Sequence, residues 1–434
     1  MKRYETYKDS GIQWWEEIPT HWDLKKAKHI FSLVTENVSD SSLPKIALEN
    51  IESWTGKYIE TDSDFMGEGV EFKKDDILFG KLRPYLAKVY KAEFAGQAVG
   101  DIYVFRGNEE QNPEYLKYLL LSYPFISVVD GSTYGAKMPR ANWDFISHLV
   151  LPCPPKTEQV TIAAHLDHKV GQIDATLAEK EQMLEDLKNY RSAIISEAVT
   201  KGLDKNVEMK DSGIEWMGMI PKHWGLVKLK NKAKVNGRIG FRGYTTADLV
   251  PKGQGAYTIG GKHITNCVID LSNPDFISWD KYYESPEIMV KKGDILMAQR
   301  GSLGKAALVR EDIGHATINP SLVLLNSIAM NEVFLYYYLV SSSCLAYIDL
   351  LNTATAVPMI SQNQIENIFV PIPSGKEQKQ IADYLDRKTK EIDETTIIVS
   401  TQISDLKSYK SALITEAVTG KIDLREWKPK EENV

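Results

Sequence analysis

Cysteine is scarce in this chain: Cys153, Cys267 and Cys344 are the only three in 434 residues, and they stand far apart. That spacing excludes a paired disulfide framework and a Cys-x-x-Cys zinc ligand set, and leaves three reduced thiols as the expectation. Long apolar runs are missing too. No stretch reaches the uncharged length needed to span a bilayer, and the opening Met1-Lys2-Arg3-Tyr4-Glu5-Thr6-Tyr7-Lys8 has no signal-peptide core, so a cytoplasmic protein is expected. Positive charge is not in excess: 52 Lys and Arg face 59 Asp and Glu, for a formal charge of -7. Nucleic-acid binders ordinarily show a basic face, so such a function here must rest on local charge or on a partner's. Residues 206–370 hold 16 basic and 15 acidic side chains, against 18 and 23 over residues 1–150, which makes the second stretch the less acidic one.

Catalytic signatures are absent as well. Gly301-Ser302-Leu303-Gly304-Lys305-Ala306 has neither the spacing nor the hydroxyl of a phosphate-binding loop, and Gly260-Gly261-Lys262-His263 ends in His and lacks the first Gly. Asn319-Pro320-Ser321-Leu322 lacks the second proline and the aromatic ring of an amino-methyltransferase loop. Asp75-Asp76 and Asp294 sit in Lys-rich contexts that suit turn formers rather than a carboxylate cluster for metal-dependent cleavage. His165-x-x-His168 has helical spacing but no third ligand nearby, which points to a solvated face or a helix interface. The expectation is no cofactor, no metal and no chemistry of the chain's own.

What is there is an internal repeat. Hydrophobic residues at 43% and charged residues at 26% suit folded domains, and 434 residues suit two or more of them. Lys8-Asp9-Ser10-Gly11-Ile12-Gln13-Trp14 returns as Lys210-Asp211-Ser212-Gly213-Ile214-Glu215-Trp216, and Ile18-Pro19-Thr20-His21-Trp22 as Ile220-Pro221-Lys222-His223-Trp224. Their His-Trp pairs have no metal or nucleophile partner in the local sequence and suit a packed domain entrance. A second block starts at Pro152 and Pro371: Glu158-Gln159 pairs with Glu377-Gln378, Leu166-Asp167 with Leu385-Asp386, Glu197-Ala198-Val199-Thr200 with Glu416-Ala417-Val418-Thr419. Duplication accounts for both blocks.

Both copies of the second block read as long helices. Leu166, Val170, Ile173, Leu177, Leu184, Leu187, Ile194 and Ala198 step by alternating fours and threes, and Leu385, Ile392, Val399, Ile403, Leu406, Leu413 and Ala417 keep the register, with Thr389, Thr396 and Lys410 as polar members. Ser374 three residues before Glu377 is a capping box, and Gly202 and Gly420 end the helices. Between the helices lie mixed α/β stretches, with strands at Asp76-Ile77-Leu78-Phe79 and Asp294-Ile295-Leu296-Met297 and helices at 113–121 and 331–340. The expected fold is mixed α+β: a first domain at 1–151, a central coiled-coil helix at 152–204, a second domain at 205–370, a C-terminal helix at 371–425 and a tail at 426–434. Because domain ends usually lie close together, the helices should run antiparallel about a pseudo-two-fold axis and act as a ruler between the domains.

This organisation resembles the specificity subunits of type I restriction-modification systems across essentially the whole chain. The resemblance is carried by Asp9-Ser10-Gly11-Ile12 with Trp14, Ile18-Pro19, His21-Trp22, the run from Lys74 to Tyr85, Met138-Pro139-Arg140 and the Pro-rich approach to Glu158-Gln159. It implies that each domain reads half of a split DNA site and that the helices set the gap. It implies as partners two DNA adenine methyltransferase subunits and restriction/translocase subunits, with S-adenosylmethionine, ATP and Mg on those partners. The second domain departs from the first, with Gln299 to Lys305 in place of the Gly80 to Lys88 run and Val357-Pro358-Met359 in place of Met138-Pro139-Arg140, so an asymmetric site is expected.

The residues expected at DNA are Lys81, Arg83, Tyr85 and Lys88, which interleave cations with an aromatic, and Tyr134, Lys137 and Arg140 on a glycine-containing loop. In the second domain they are Arg238, Arg242 and Tyr244, following Lys228, Lys230, Lys232 and Lys234 on a presumed strand face, and Gln299, Arg300, Ser302 and Lys305 in a tight Gly turn. The competing class is a coiled-coil adaptor whose terminal domains bind proteins, for which the net acidity speaks. A solo nuclease or methyltransferase is disfavoured by the missing motifs.

Overall fold

The computed structural model describes residues 2–38, 43–61, 68–133, 137–238, 243–265, 267–352 and 357–429. It divides into two compact units, Met1–Glu181 with Ser400–Val434, and Gln182–Val399. Each holds one α/β body and a stretch of both long helices.

The first unit opens with an antiparallel hairpin, Tyr7–Asp9 against Glu17–Pro19. The body then enters on strand Asp23–Lys26 and leaves on Val150–Cys153, which pair antiparallel with each other. Between them lies an antiparallel sheet in the order Phe31–Val34, Ile102–Gly107, Ile77–Gly80, Val89–Lys91. Ile77, Leu78 and Phe79 are fully buried, so this apolar run is a two-sided core strand. A second sheet orders Asn37–Val38, Gly69–Phe72, Gly96–Ala98 and Lys45–Ile46, its last pair parallel. Helices Pro113–Leu121, Tyr123–Gly131 and Trp143–His148 complete the body, the first capped by Asn112, whose side chain accepts from Tyr115 N.

The second unit repeats the plan. Met209–Asp211 pairs with Met219–Pro221, and Gly225–Lys228 with Phe369–Ile372. Its main sheet runs Lys234–Gly237, Leu322–Asn326, Ile295–Ala298, Ala306–Leu308. Its smaller sheet differs: Gly255–Ile259 is central, antiparallel to Asp275–Ser278 and parallel to Ala316–Ile318. Helices Glu332–Leu339, Ser342–Leu351 and Gln362–Glu366 follow. Among the described residues no single helix is long and apolar enough to cross a membrane.

The repeated blocks form helices Lys156–Lys201 and Gly375–Val418. Within the first unit they pair antiparallel: Lys410 Nζ lies 2.6 Å from Asp174 Oδ1, Lys407 Nζ 3.1 Å from Glu181 Oε1, and Lys180 Nζ 2.7 Å from Gln402 Oε1. Within the second, Arg191 Nε meets Asp393 Oδ1 at 3.1 Å. The expected seam is the buried one, with Leu166, Val170, Ile173 and Leu177 in the first unit and Ile194, Ala198, Leu385 and Ile392 in the second all under a tenth exposed. Its polar members are accounted for locally. Thr389 is buried against the Tyr337 hydroxyl at 2.9 Å, and Lys410 is 8% exposed in its ion pair with Asp174, which Lys57 also reaches at 2.9 Å. Burial opposes ionisation of Asp174, but the hydrogen bonds from Lys410 and Lys57 outweigh it and hold the carboxyl below its ordinary value.

The repeated short motifs meet each other at the helix starts. His21 Nε2 lies 2.6 Å from Glu158 Oε1, the Trp22 indole N–H donates to Glu158 Oε2 at 2.9 Å and the Tyr4 hydroxyl donates to the same oxygen at 3.0 Å. In the second unit His223 Nε2 is 2.8 Å from Glu377 Oε1 and Trp224 Nε1 donates to it at 3.4 Å. Gln159 and Gln378 donate to the Pro154 and Pro373 carbonyls at 2.9 Å and accept from Asn112 N and Asn331 N. Ser374 and Glu377 form the expected capping box. His165 is buried edge-on against Trp427 of the C-terminal tail, and burial lowers its pKa; the His165–His168 pair is thus a packing surface.

Candidate nucleic-acid interface

In each body the structure joins two candidate loops that are distant in sequence. Leu82 bridges Arg140, Arg83 N donates to the Pro139 carbonyl at 2.8 Å, and Ala141 N donates to the Lys81 carbonyl at 2.8 Å. The second body repeats the junction: Arg300 bridges Met359, Gly301 N donates to Pro358 O at 2.9 Å, and Ile360 N donates to Gln299 O at 3.0 Å. Each junction grows from the end of a fully buried strand, Ile77–Gly80 or Ile295–Ala298, so the loops are seated on a rigid support.

At the first junction Arg83 and Ala87 have φ of 52° and 46°, left-handed conformations on either side of the 3-10 turn Pro84–Leu86. The turn leaves Tyr85 46% exposed, while its carbonyl accepts from the Trp54 indole at 3.1 Å. Arg140 is forked onto Asp101 through Nε at 3.2 Å and Nη2 at 3.0 Å, and the bond to Asp101 raises the guanidinium pKa. Lys81 lies 3.8 Å from the same carboxylate and 5.4 Å from the centroid of Tyr103. Exposed Arg83 and Lys137 have no carboxylate partner among the described residues. Tyr134 lies outside the described residues.

At the second junction Gln299 Nε2 donates to the Pro320 and Leu322 carbonyls at 3.0 and 3.4 Å, and Arg300 Nε approaches Met359 Sδ at 3.2 Å. Arg300, Ser302 and Lys305 are exposed, and neither cation has a carboxylate partner among the described residues. Gly301 and Gly304, with φ of 76° and 79°, shape the turn.

Three expectations are corrected. Lys88 does not face solvent as a free cation: its ammonium donates to the Leu48 and Ile51 carbonyls at 2.6 and 2.8 Å, and burial lowers its pKa. Arg238 is 5% exposed, donates to Ile318 O and Thr317 Oγ1, and stacks over half-buried Tyr244, so it is a core cation whose pKa burial lowers. Arg242 lies outside the described residues. Lys228, Lys230, Lys232 and Lys234 do not share one strand face, because the 3-10 turn Leu229–Asn231 interrupts the run and Lys228 is held by Asn367. Asp101 and Tyr103 were not among the expected residues; the one sequence signal is Gly100-Asp101, a turn before a β-rich run.

The paired loops recur, at matching places, in two bodies of one plan. A family model for the type I restriction modification DNA specificity domain matches residues 266–401. The chain is similar to type I restriction enzyme specificity subunits over most of its length. The EcoBI specificity subunit of Escherichia coli is 24% identical over 82% of this chain and 75% of its own length. A putative MjaX specificity subunit of Methanocaldococcus jannaschii is 23% identical over 96% and 98%. Among solved structures, a chain from a type I restriction-modification assembly superposes with a TM-score of 0.74 at 18% identity, over 93% of this chain and 99% of its own length. The HsdS subunit of Thermoanaerobacter tengcongensis gives 0.52 at 18% identity, over 93% and 98%. The fold expected of a specificity subunit is therefore the fold found.

Proposed function

We propose that this chain is a specificity subunit that recognises a bipartite, asymmetric DNA site and directs methyltransferase and restriction subunits to it. The observation that carries this reading is the repeated loop junction, with exposed unpaired cations on both bodies and unlike residues at matching positions. Arg83 and Lys137 in the first body and Arg300 and Lys305 in the second provide phosphate contacts and guanine donors. Gln299, its amide nitrogen committed to carbonyls, keeps an oxygen that can accept from an exocyclic amine of adenine or cytosine. The subunit performs no chemistry of its own; S-adenosylmethionine, ATP and Mg belong to the partners, and the assembly works in the cytoplasm. Two methyltransferase subunits suit a pseudo-symmetric chain, and their basic surface would offset its net acidity.

The test is co-expression with its methyltransferase partner in a modification-free host, followed by single-molecule mapping of methylated adenines. A split motif with unlike halves and a fixed gap is expected. A stable complex that adds no methylation overturns the reading in favour of a protein-binding adaptor.

A further inference from the structure

We infer that Asp101 is a positioning residue that sets base discrimination in the first half-site by holding the Arg140 guanidinium in one orientation. The inference rests on the reading that the chain recognises DNA. Asp101 stands just before the strand Ile102–Gly107 and is fixed through its backbone, its carbonyl accepting from Lys81 N at 2.9 Å. Its carboxylate takes two donors from Arg140, Nε at 3.2 Å and Nη2 at 3.0 Å, and lies 3.8 Å from the Lys81 ammonium. The Arg140 side chain is nevertheless 55% exposed, so its plane is fixed while Nη1 and the second Nη2 hydrogen stay free to donate outward. A planar donor held in this way pairs with a base edge without losing rotamer freedom at the moment of contact.

The fold has little use for this pair. The loops are already joined by the hydrogen bonds of Arg83 to Pro139 and of Ala141 to Lys81, and exposed ion pairs add little stability. Nor does the second body have the same device. There Ser321 takes the matching place, its carbonyl accepting from Gln299 N at 2.9 Å, and its hydroxyl is turned to Asn319 Oδ1 at 2.6 Å. A carboxylate beside a phosphate backbone also repels it, so Asp101 weakens binding to DNA of any sequence while it sharpens binding to the right one.

The two effects have opposite signs, which makes them testable. Asp101→Asn keeps the shape, removes the charge and loosens Arg140. The complex with the methyltransferase partner is titrated with a duplex bearing the mapped site, duplexes with single substitutions in either half, and a duplex without the site. Asp101→Asn is expected to raise affinity for the site-free duplex about threefold or more and to cut discrimination in the first half about tenfold, leaving the second half unchanged; Asp101→Glu restores part of it. Equal loss of affinity on all duplexes, or unchanged discrimination, overturns the inference. If the wild-type complex itself fails to prefer the mapped site, the recognition reading is what falls. Thermal unfolding of both variants separates folding defects from either result.

Discussion

Replacing Glu158 by alanine tests whether the joint between hairpin, body and helix depends on one buried carboxylate. Glu158 accepts from Trp22 Nε1 and Tyr4 Oη, whose side chains are 0% and 5% exposed, and from His21, which is 40% exposed. Each buried donor left unpaired costs about 1–3 kcal/mol, so Trp22 and Tyr4 together put the loss at about 2–6 kcal/mol; the exposed His21 contact adds little. The matching Glu377 holds Trp224 at 3.4 Å, and the repeat puts Asn206 where the first unit has Tyr4. Glu377→Ala should therefore cost only about 1–2 kcal/mol, much of it from the lost capping box. A chain of two units does not unfold in one step, so the assay is hydrogen exchange, read separately on peptides covering 4–26 and 206–228. Exchange from the first segment of Glu158→Ala should rise at least thirtyfold, and from the second segment of Glu377→Ala about tenfold. Equal effects, or a neutral Glu158→Ala, would refute the argument.

Lys410→Met leaves Asp174 with Lys57 alone and should destabilise the first unit by about 2–4 kcal/mol. Because the Asp174 carboxyl lies below its ordinary value when folded, its stabilisation is full above about pH 5 and is lost as pH falls below the ordinary aspartate value of about 3.9 and on through the lower folded value; Asp174→Asn should flatten that part of the stability–pH curve, measured by hydrogen exchange. Gly420 has φ of 74°, and an added Cβ would sit 2.4 Å from Pro19 Cδ, whereas at Gly213, φ 73°, it would meet nothing within 4 Å. Gly420→Ala should speed hydrogen exchange around position 420 clearly more than Gly213→Ala speeds it around position 213, where the cost is about 1–2 kcal/mol of backbone strain; equal increases would sink the close-approach argument. Arg83→Ala and Arg300→Ala should each reduce the slope of log affinity against log salt by about 0.9 if the side chain contacts a phosphate, and an unchanged slope removes that residue from the phosphate set.

The repeat was the legible part. Matching blocks at two fixed offsets mark out two bodies and two helices, and most heptad positions are buried, with Leu184, Leu187 and Leu406 half-buried. Strands at 77–80 and 295–298 and the helix at 113–121 were readable from apolar runs and caps, but Tyr123–Gly131 and Ser342–Leu351 were not, because Pro124 and a serine run look like breaks. The site was half legible. Arg83, Lys137, Arg300 and Lys305 are exposed as expected, yet Lys88 and Arg238 are spent on backbone carbonyls, and a cation in a run of cations does not announce which of them turns inward. The partnership of His21 with Glu158 was hidden for another reason: 137 residues separate two motifs that were each visible alone.

The antiparallel strands that close each body, Asp23–Lys26 on Val150–Cys153 and Gly225–Lys228 on Phe369–Ile372, have a consequence for inheritance. Every residue proposed to contact DNA in a body lies between its two closing strands, while the hairpin, the Glu and Gln anchors and the helices lie outside them. A segment exchanged at those borders would therefore carry all of a body's proposed contact loops together and leave the anchoring joint intact. Under the proposed reading, assorting whole bodies in this way would yield new pairings of half-sites without any change within a loop.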